Sequence, residues 1–203
     1  MSDQRLGATV NQYMQNFPGG EVPVDRNAVG SQVLGGSEHL LAQGQWSDWI
    51  QFAFETGIPG SAVLEAAAAP ASVPAMVRFY VKQVHPDLVL FATPINIDPT
   101  QPGNPISVPD HFAADLAERT GLYFTAGIPE HTPEVQQGGL DEQEWLEKVY
   151  LIHAERLAQF REALRQFERG ALFFYVGTVD QICRIFWRDQ DPQHPGRDPQ
   201  QGD

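Results

Sequence analysis

The chain of 203 residues carries 26 acidic and 13 basic side chains, which give it a formal net charge of −13. This balance disfavours sequence-independent binding to nucleic acids or to anionic membranes, because both need clustered Lys and Arg. An apolar content of 42% in a chain of this length predicts a packed core without covalent staples. The single cysteine, Cys183, rules out an internal disulfide and a cysteine-only zinc site.

The first residues lack the apolar core of a signal peptide, and no apolar run approaches the ~20 residues that a membrane span needs. We therefore expect a soluble protein, without membrane association and with the cytoplasm as its compartment.

Residues 1–45 form a Gly-rich amino-terminal segment. Within it, the stretch VGSQVLGGS (29–37) spaces Gly30 and Gly35 as a phosphate-binding loop does, but Gly36 stands where that loop has its lysine. We predict a flexible loop there rather than a phosphate site.

Residues 46–105 are predicted to be a β-rich segment that serves as a cap or insertion. The stretch WSDWIQFAFE (46–55) alternates apolar and polar positions, which is typical of a strand. The Ala-, Pro- and Gly-rich stretch 57–75 is predicted to be a surface loop. Two β-branched and aromatic runs, 76–84 and 88–97, are separated by His-Pro-Asp and predict an antiparallel pair.

Residues 106–188 are predicted to be an α/β segment. It begins with a helix for which Ser107 is the candidate N-cap and Gly121 the stop, and a short strand is expected over 122–128. Together with the first half, this pattern predicts a mixed α/β fold, in which a β-rich half is followed by part of a parallel sheet.

A long helix follows, for which Asp141 and Glu144 predict a capping box and Gly170 the end. Its apolar stripe comprises Leu146, Val149, Ile152, Leu157, Phe160, Leu164 and Phe167. The run ALFFYVGTV (171–179) is continuously apolar and predicts a strand that is covered on both faces. The polar residues 189–203 are predicted to form a flexible tail.

Asp180 follows the predicted strand directly, at the edge of an α/β sheet where ligand sites cluster. Two roles are open for it at this point. A carboxylate there can take part in a chemical site as a metal ligand, or it can cap the helix that begins nearby.

The segment FFYVGTVDQICRIFWRDQDPQHP (173–195) resembles alkaline-phosphatase-superfamily proteins of the type I phosphodiesterase and nucleotide pyrophosphatase kind. In that family a hydrophobic strand delivers an aspartate, and an aromatic-Trp-Arg run and an Asp-Pro-x-His-Pro segment follow. The resemblance extends over residues 46–197, and it implies a β-rich cap or insertion followed by part of an alkaline-phosphatase-like α/β sheet. It implies a two-metal hydrolase of phosphate esters, usually zinc-dependent, in which Asp180 is a metal ligand.

The chain departs from the family at position 184, where arginine replaces the histidine that would be the second ligand. Arginine stays protonated and has no lone pair for zinc. An Arg184 guanidinium one helical turn after Asp180 can instead pair with its carboxylate and supply the positive charge of the metal. A chance exchange of His for Arg explains the arginine equally well. The family's nucleophile, its accompanying aspartate and its later Asp-His pair have no counterpart in the chain, so no catalytic residue is assigned.

Two functions follow from the sequence. The first is a segment of a metal-dependent phosphodiesterase or phosphatase that is inactive alone and takes a phosphate-ester substrate only if its missing parts are supplied. The alternative is a non-catalytic remnant or cap module that binds a ligand or a partner through its aromatic half. A truncated sheet exposes an unpaired edge, so self-association or a missing complementary chain is also expected.

Overall fold

The computed structural model describes residues 29–34, 37–55 and 72–197. The chain divides into two units, Met1–Glu118 and Arg119–Asp203. The strands are β1 (Val29–Leu34), β2 (Ser37–Ala42), β3 (Ile50–Glu55), β4 (Ser72–Val77), β5 (Phe79–Gln83), β6 (Val89–Ala92) and β7 (Asn96–Ile97). The helices are α1 (Phe112–Thr120), α2 (Pro133–Gln136), α3 (Glu142–Gln166) and α4 (Thr178–Gln190). The mixed α/β class is therefore confirmed.

The strands form three small antiparallel sheets, with the orders β1-β2, β3-β4-β7 and β5-β6. The antiparallel pair predicted for 76–84 and 88–97 is confirmed in β5 and β6. None of the named strands pairs in parallel, so the described part of the chain does not contain the predicted piece of a parallel sheet. None of the described helices is long and apolar enough to cross a bilayer.

The core of the first unit forms where the inward faces of these strands meet. Ile50 lies opposite Val77 across the β3–β4 pair, and both are buried with Val81 and Leu88. Phe52, two residues after Ile50, packs against the same cluster, as the predicted alternation of the strand requires.

Two predictions for the first unit are wrong. Residues 72–75 belong to β4 and not to a loop, because β3 and β7 pair with β4 on its two sides and bury Ala75 and Met76. Burial between two strands outweighs the weak strand preference of Pro74 and Ala75. The stretch 29–34 is the first strand of a hairpin rather than a loop. Residues 56–71 lie outside the described residues.

The predicted helix after Ser107 starts later than expected, at Phe112. The Ser107 hydroxyl nevertheless accepts a hydrogen bond from the backbone N–H of Ala113 at 3.0 Å. It therefore pairs a donor of the first turn although Ser107 lies several residues before the helix begins. Gly121 follows the helix at a φ of +86°, the left-handed conformation that glycine adopts without strain.

Helix α3 begins with the predicted capping box. The Asp141 side chain accepts from the N–H of Glu144, and the Glu144 side chain accepts from the N–H of Asp141, each at 2.8 Å. Val149 and Ile152 of the predicted stripe are fully buried. The burial of the predicted stripe does not reach the end of the helix, since Leu164 is 49% exposed. The helix ends at Gln166, before the predicted end at Gly170.

Glu162 of α3 links two arginines. Hydrogen bonds from Arg165, from Gln166 and from Arg119 lower the pKa of Glu162 from 4.5 to about 2. Because the folded pKa lies below the ordinary one, Glu162 adds stability above about pH 4.5, and this is lost as the pH falls toward 2.

We expect Glu162→Gln to lower the Tm at neutral pH and to match the parent near pH 2 in thermal unfolding followed over this range. Glu168→Gln, an exposed glutamate just beyond the helix, should change the Tm little at any pH; an equal effect of both variants would contradict the assignment.

The two strands predicted in the second half are also wrong. Residues 122–128 form no strand; there Phe124 is buried and its backbone N–H donates to the Glu155 carboxylate at 3.1 Å. Residues 171–177 form neither a strand nor a helix, and Phe173 is 88% exposed. The described strands pair in sheets only with one another, and strand propensity alone does not make a strand of either stretch.

Candidate functional site

Asp180 lies in the first turn of α4 and not at the end of a strand. The N-cap of this helix is Gly177, so the capping role considered for Asp180 is wrong. A carboxylate in the first turn interacts favourably with the positive end of the helix dipole. Its proposed role as a metal ligand remains a prediction of the family resemblance.

The ion pair between Asp180 and Arg184 is confirmed. Nε and Nη2 of Arg184 both lie 3.0 Å from Oδ2 of Asp180, and Nε2 of Gln181 donates to the same oxygen at 3.0 Å. The side chains of the pair are 62% and 52% exposed, for Arg184 and Asp180 respectively. At this exposure the pair adds little to stability, and it orients the guanidinium along the helix surface.

A cleft of about 760 Å³ lies along α4. Its charged, aromatic and polar lining comes from the end of α2, from the start of α3, from α4 itself, and from the turn that follows α4. The residues of this set are Gln136, Glu142, Asp180, Arg184, Trp187, Arg188 and His194. The side chain of Cys183, a free thiol, lines the same wall.

Arg188 is the second guanidinium in the cleft, one helical turn after Arg184. It donates through Nη2 to Glu142 and through Nε to Asp189. The hydrogen bond to Glu142 raises the pKa of Arg188, against the opposing effect of partial burial. The pair joins the first turn of α3 to the last turn of α4, which fixes one wall of the cleft.

Each guanidinium keeps a free donor. Within the part of the chain that the structure describes, Nη1 of Arg184 and Nη1 of Arg188 have no hydrogen-bond partner. Trp187, between them in sequence, is 57% exposed. The cleft therefore combines two guanidinium groups, each oriented by a carboxylate of the lining and each with a free donor, with an accessible indole face.

His194 lies in the turn after α4. Its Nδ1 accepts a hydrogen bond from the backbone N–H of Gly196 at 3.1 Å, so the neutral ring carries its proton on Nε2. The structure places this histidine in the lining of the cleft.

A buried charge pair that the sequence did not predict joins α2 to α3. Lys148 of α3 is fully buried and donates to both carboxylate oxygens of Glu134 of α2, at 2.7 and 2.6 Å. Burial raises the pKa of Glu134 and lowers the pKa of Lys148, while their mutual attraction opposes both shifts. Glu130, also buried, accepts from the hydroxyl of Thr178 at 3.0 Å, which ties this region to the start of α4. The position of Lys148 within the apolar stripe of α3 was the available signal.

The side chains of the described residues do not fit a zinc centre. Among residues 29–34, 37–55 and 72–197, no three His, Cys, Asp or Glu side chains lie close enough together to hold a metal ion. Arg184 occupies the position of the expected second ligand, and Oδ2 of Asp180 already accepts from Arg184 and Gln181.

Comparisons of the chain with protein-family models, with curated proteins and with solved structures found no match.

Proposed function

We propose that this chain is a non-catalytic module that binds a small anionic ligand of the phosphate-ester class in the cleft along α4. The observation that carries the proposal is the placement of Arg184 and Arg188 one turn apart in the same cleft, each with a free Nη1 donor. Guanidinium groups bind phosphate oxygens through charge-assisted hydrogen bonds. The indole of Trp187 offers an apolar face for the organic part of such an ester.

The same arrangement supports binding better than hydrolysis. A metal-dependent phosphodiesterase aligns an attacking oxygen and stabilises both the entering and the leaving oxygen with its metal ions. Arg184 supplies fixed positive charge but no lone pair, and the Asp180 oxygen that it holds is already engaged. The positive charge in this cleft thus comes from side chains, which favours the non-catalytic alternative over the hydrolase segment.

Titration with phenyl phosphate, followed by NMR and calorimetry, tests this proposal. We expect saturable binding that shifts the indole signal of Trp187. Arg184→Gln and Arg188→Gln should each weaken binding about tenfold, the loss expected for a charge-assisted hydrogen bond in a partly exposed site. Arg161→Gln, which removes an exposed arginine of α3 that does not line the cleft, should bind as the parent does.

Asp180→Asn distinguishes binding from metal-dependent chemistry. Removing the carboxylate frees the Arg184 guanidinium, so we expect tighter binding of phenyl phosphate. A metal-ligand role predicts the opposite, a loss of bound zinc and of activity. Elemental analysis and hydrolysis of an activated phosphodiester with added zinc complete the test: stoichiometric zinc with turnover that Asp180→Asn abolishes would overturn the non-catalytic proposal.

A further inference from the structure

The segment that joins α3 to α4 has no regular secondary structure and lacks backbone hydrogen bonds. Between residues 168 and 176, no backbone N–H or C=O group has a hydrogen-bond partner anywhere in the described chain. Backbone donors and acceptors are paired in most of a folded protein, so a row of free ones marks a surface at which another strand can add.

From Phe173 to Val176 the side chains alternate between exposed and half-buried, as those of a strand do, while Ala171 and Leu172 before them are both exposed. Phe173 and Tyr175 point outward and are 88% and 64% exposed. Phe174 between them is half-buried, with its ring centroid 5.2 Å from that of Phe160 on α3. The segment therefore has one face packed on its own unit and one open aromatic face.

The sequence and the surroundings of this segment disagree. Ala171–Val176 is aromatic, aliphatic and uncharged, a composition typical of a strand that is covered by neighbours. In the described chain it stands exposed and unpaired. Local preference and tertiary structure agree in most natural proteins, and a conflict of this kind points to a partner outside the single chain.

We propose that two copies of this chain associate by antiparallel pairing of their 171–176 segments about a two-fold axis. An added strand must offer its own row of free backbone donors and acceptors, and the same segment of a second copy does so. The segment has no charge, so self-pairing brings no like charges into register. With the axis at Phe174, Phe173 of each copy lies opposite Tyr175 of the other, on the open face.

The size of this contact sets its strength. A whole aromatic side chain presents about 150–250 Å², so the exposed parts of Phe173 and Tyr175 contribute about 300 Å² per copy. This lies below the ~800 Å² that one partner of a stable complex buries. Each copy also carries a net charge of −13. The dimer should therefore be weak, with a dissociation constant well above micromolar, and salt should strengthen it by screening the repulsion.

Sedimentation velocity and amide hydrogen exchange, at micromolar and at near-millimolar concentration, test the proposal. We expect a dimer at the higher concentration and slower exchange of the 172–176 amides there. Phe173→Lys alone and Tyr175→Glu alone should each weaken association at least tenfold. Tyr150→Lys, a change at an exposed aromatic of α3, should leave it unchanged.

A mixture of the two variants tests the register. Lys in place of Phe173 on one copy meets Glu in place of Tyr175 on the other, so the mixture should associate more strongly than either variant alone. Restored association supports the register with its axis at Phe174. A mixture that associates no more strongly than either variant alone overturns this register. A monomer at near-millimolar concentration, or association that survives both variants, overturns the proposed pairing. None of these substitutions touches the cleft residues, and thermal unfolding serves as the check that the variants are folded.

Discussion

Replacing Lys148 by methionine is expected to lower the free energy of unfolding by about 3–5 kcal/mol. Lys148 is fully buried and its ammonium group makes both of its side-chain hydrogen bonds to Glu134. Methionine keeps the volume of the stem but leaves the Glu134 carboxylate buried without its cation. The expected loss of stability therefore comes from the buried, unpaired carboxylate of Glu134 and not from lost packing.

The double variant Glu134→Leu with Lys148→Met separates these causes. Removing both charges together should restore most of the stability, because a buried ion pair is worth little more than apolar side chains of similar size. Chemical denaturation of the parent, the single variant and the double variant measures this directly. A double variant as unstable as Lys148→Met would show that packing, and not the unpaired charge, is responsible.

The pH dependence of Lys148→Met provides a second check. Burial already raises the pKa of Glu134, and removing Lys148 removes the attraction that opposes this shift. A folded pKa above the unfolded one means that the folded state binds more protons, so stability relative to the parent should rise as the pH falls toward 5. The destabilisation of Lys148→Met is therefore expected to shrink in mildly acidic buffer. A penalty that is constant from neutral pH to about pH 5 would exclude an ionised Glu134 as its cause.

The features that the sequence predicted correctly are those that short-range patterns determine. The capping box of Asp141 and Glu144 and the pair of Asp180 and Arg184 each join residues three or four positions apart. The β5–β6 pair was recognisable because a short turn joins its two runs. In each case, the residues that decide the structure stand within one local stretch of the chain.

The wrong predictions depend on which parts of the chain pack next to a given helix or strand. The run 171–177 has the composition of a covered strand, but whether a neighbouring strand exists depends on distant parts of the chain or on another chain. Lys148 and Glu134 were missed because the sequence does not show that α2 packs on the buried face of α3. Asp180 was placed at a sheet edge for the same reason, because the sequence does not show which elements pack together. The cleft around Asp180 forms instead where α3 and α4 are joined by the pair of Glu142 and Arg188.

Replacing Trp145 by alanine is expected to lower the free energy of unfolding of the second unit by about 3–5 kcal/mol, the usual cost of truncating a fully buried aromatic side chain. The indole N–H donates to the carbonyl of His131 at 3.3 Å, and the ring centroid lies 6.2 Å from that of Phe186 on α4. The change removes a packing contact between α3 and α4 and leaves a cavity that the neighbouring helices fill only in part.

Tyr150→Ala is the matched control, since it truncates an aromatic side chain of the same helix that is 60% exposed. It should cost well under 1 kcal/mol in the same denaturation experiment. Trp145→Phe should fall between the two, because it retains a ring beside Phe186 but loses the hydrogen bond to His131. If Trp145 holds α4 on α3, amide exchange in α4 should accelerate in Trp145→Ala and not in Tyr150→Ala. Equal exchange in both variants would mean that the pair of Arg188 and Glu142 is sufficient to hold the helix and its cleft in place.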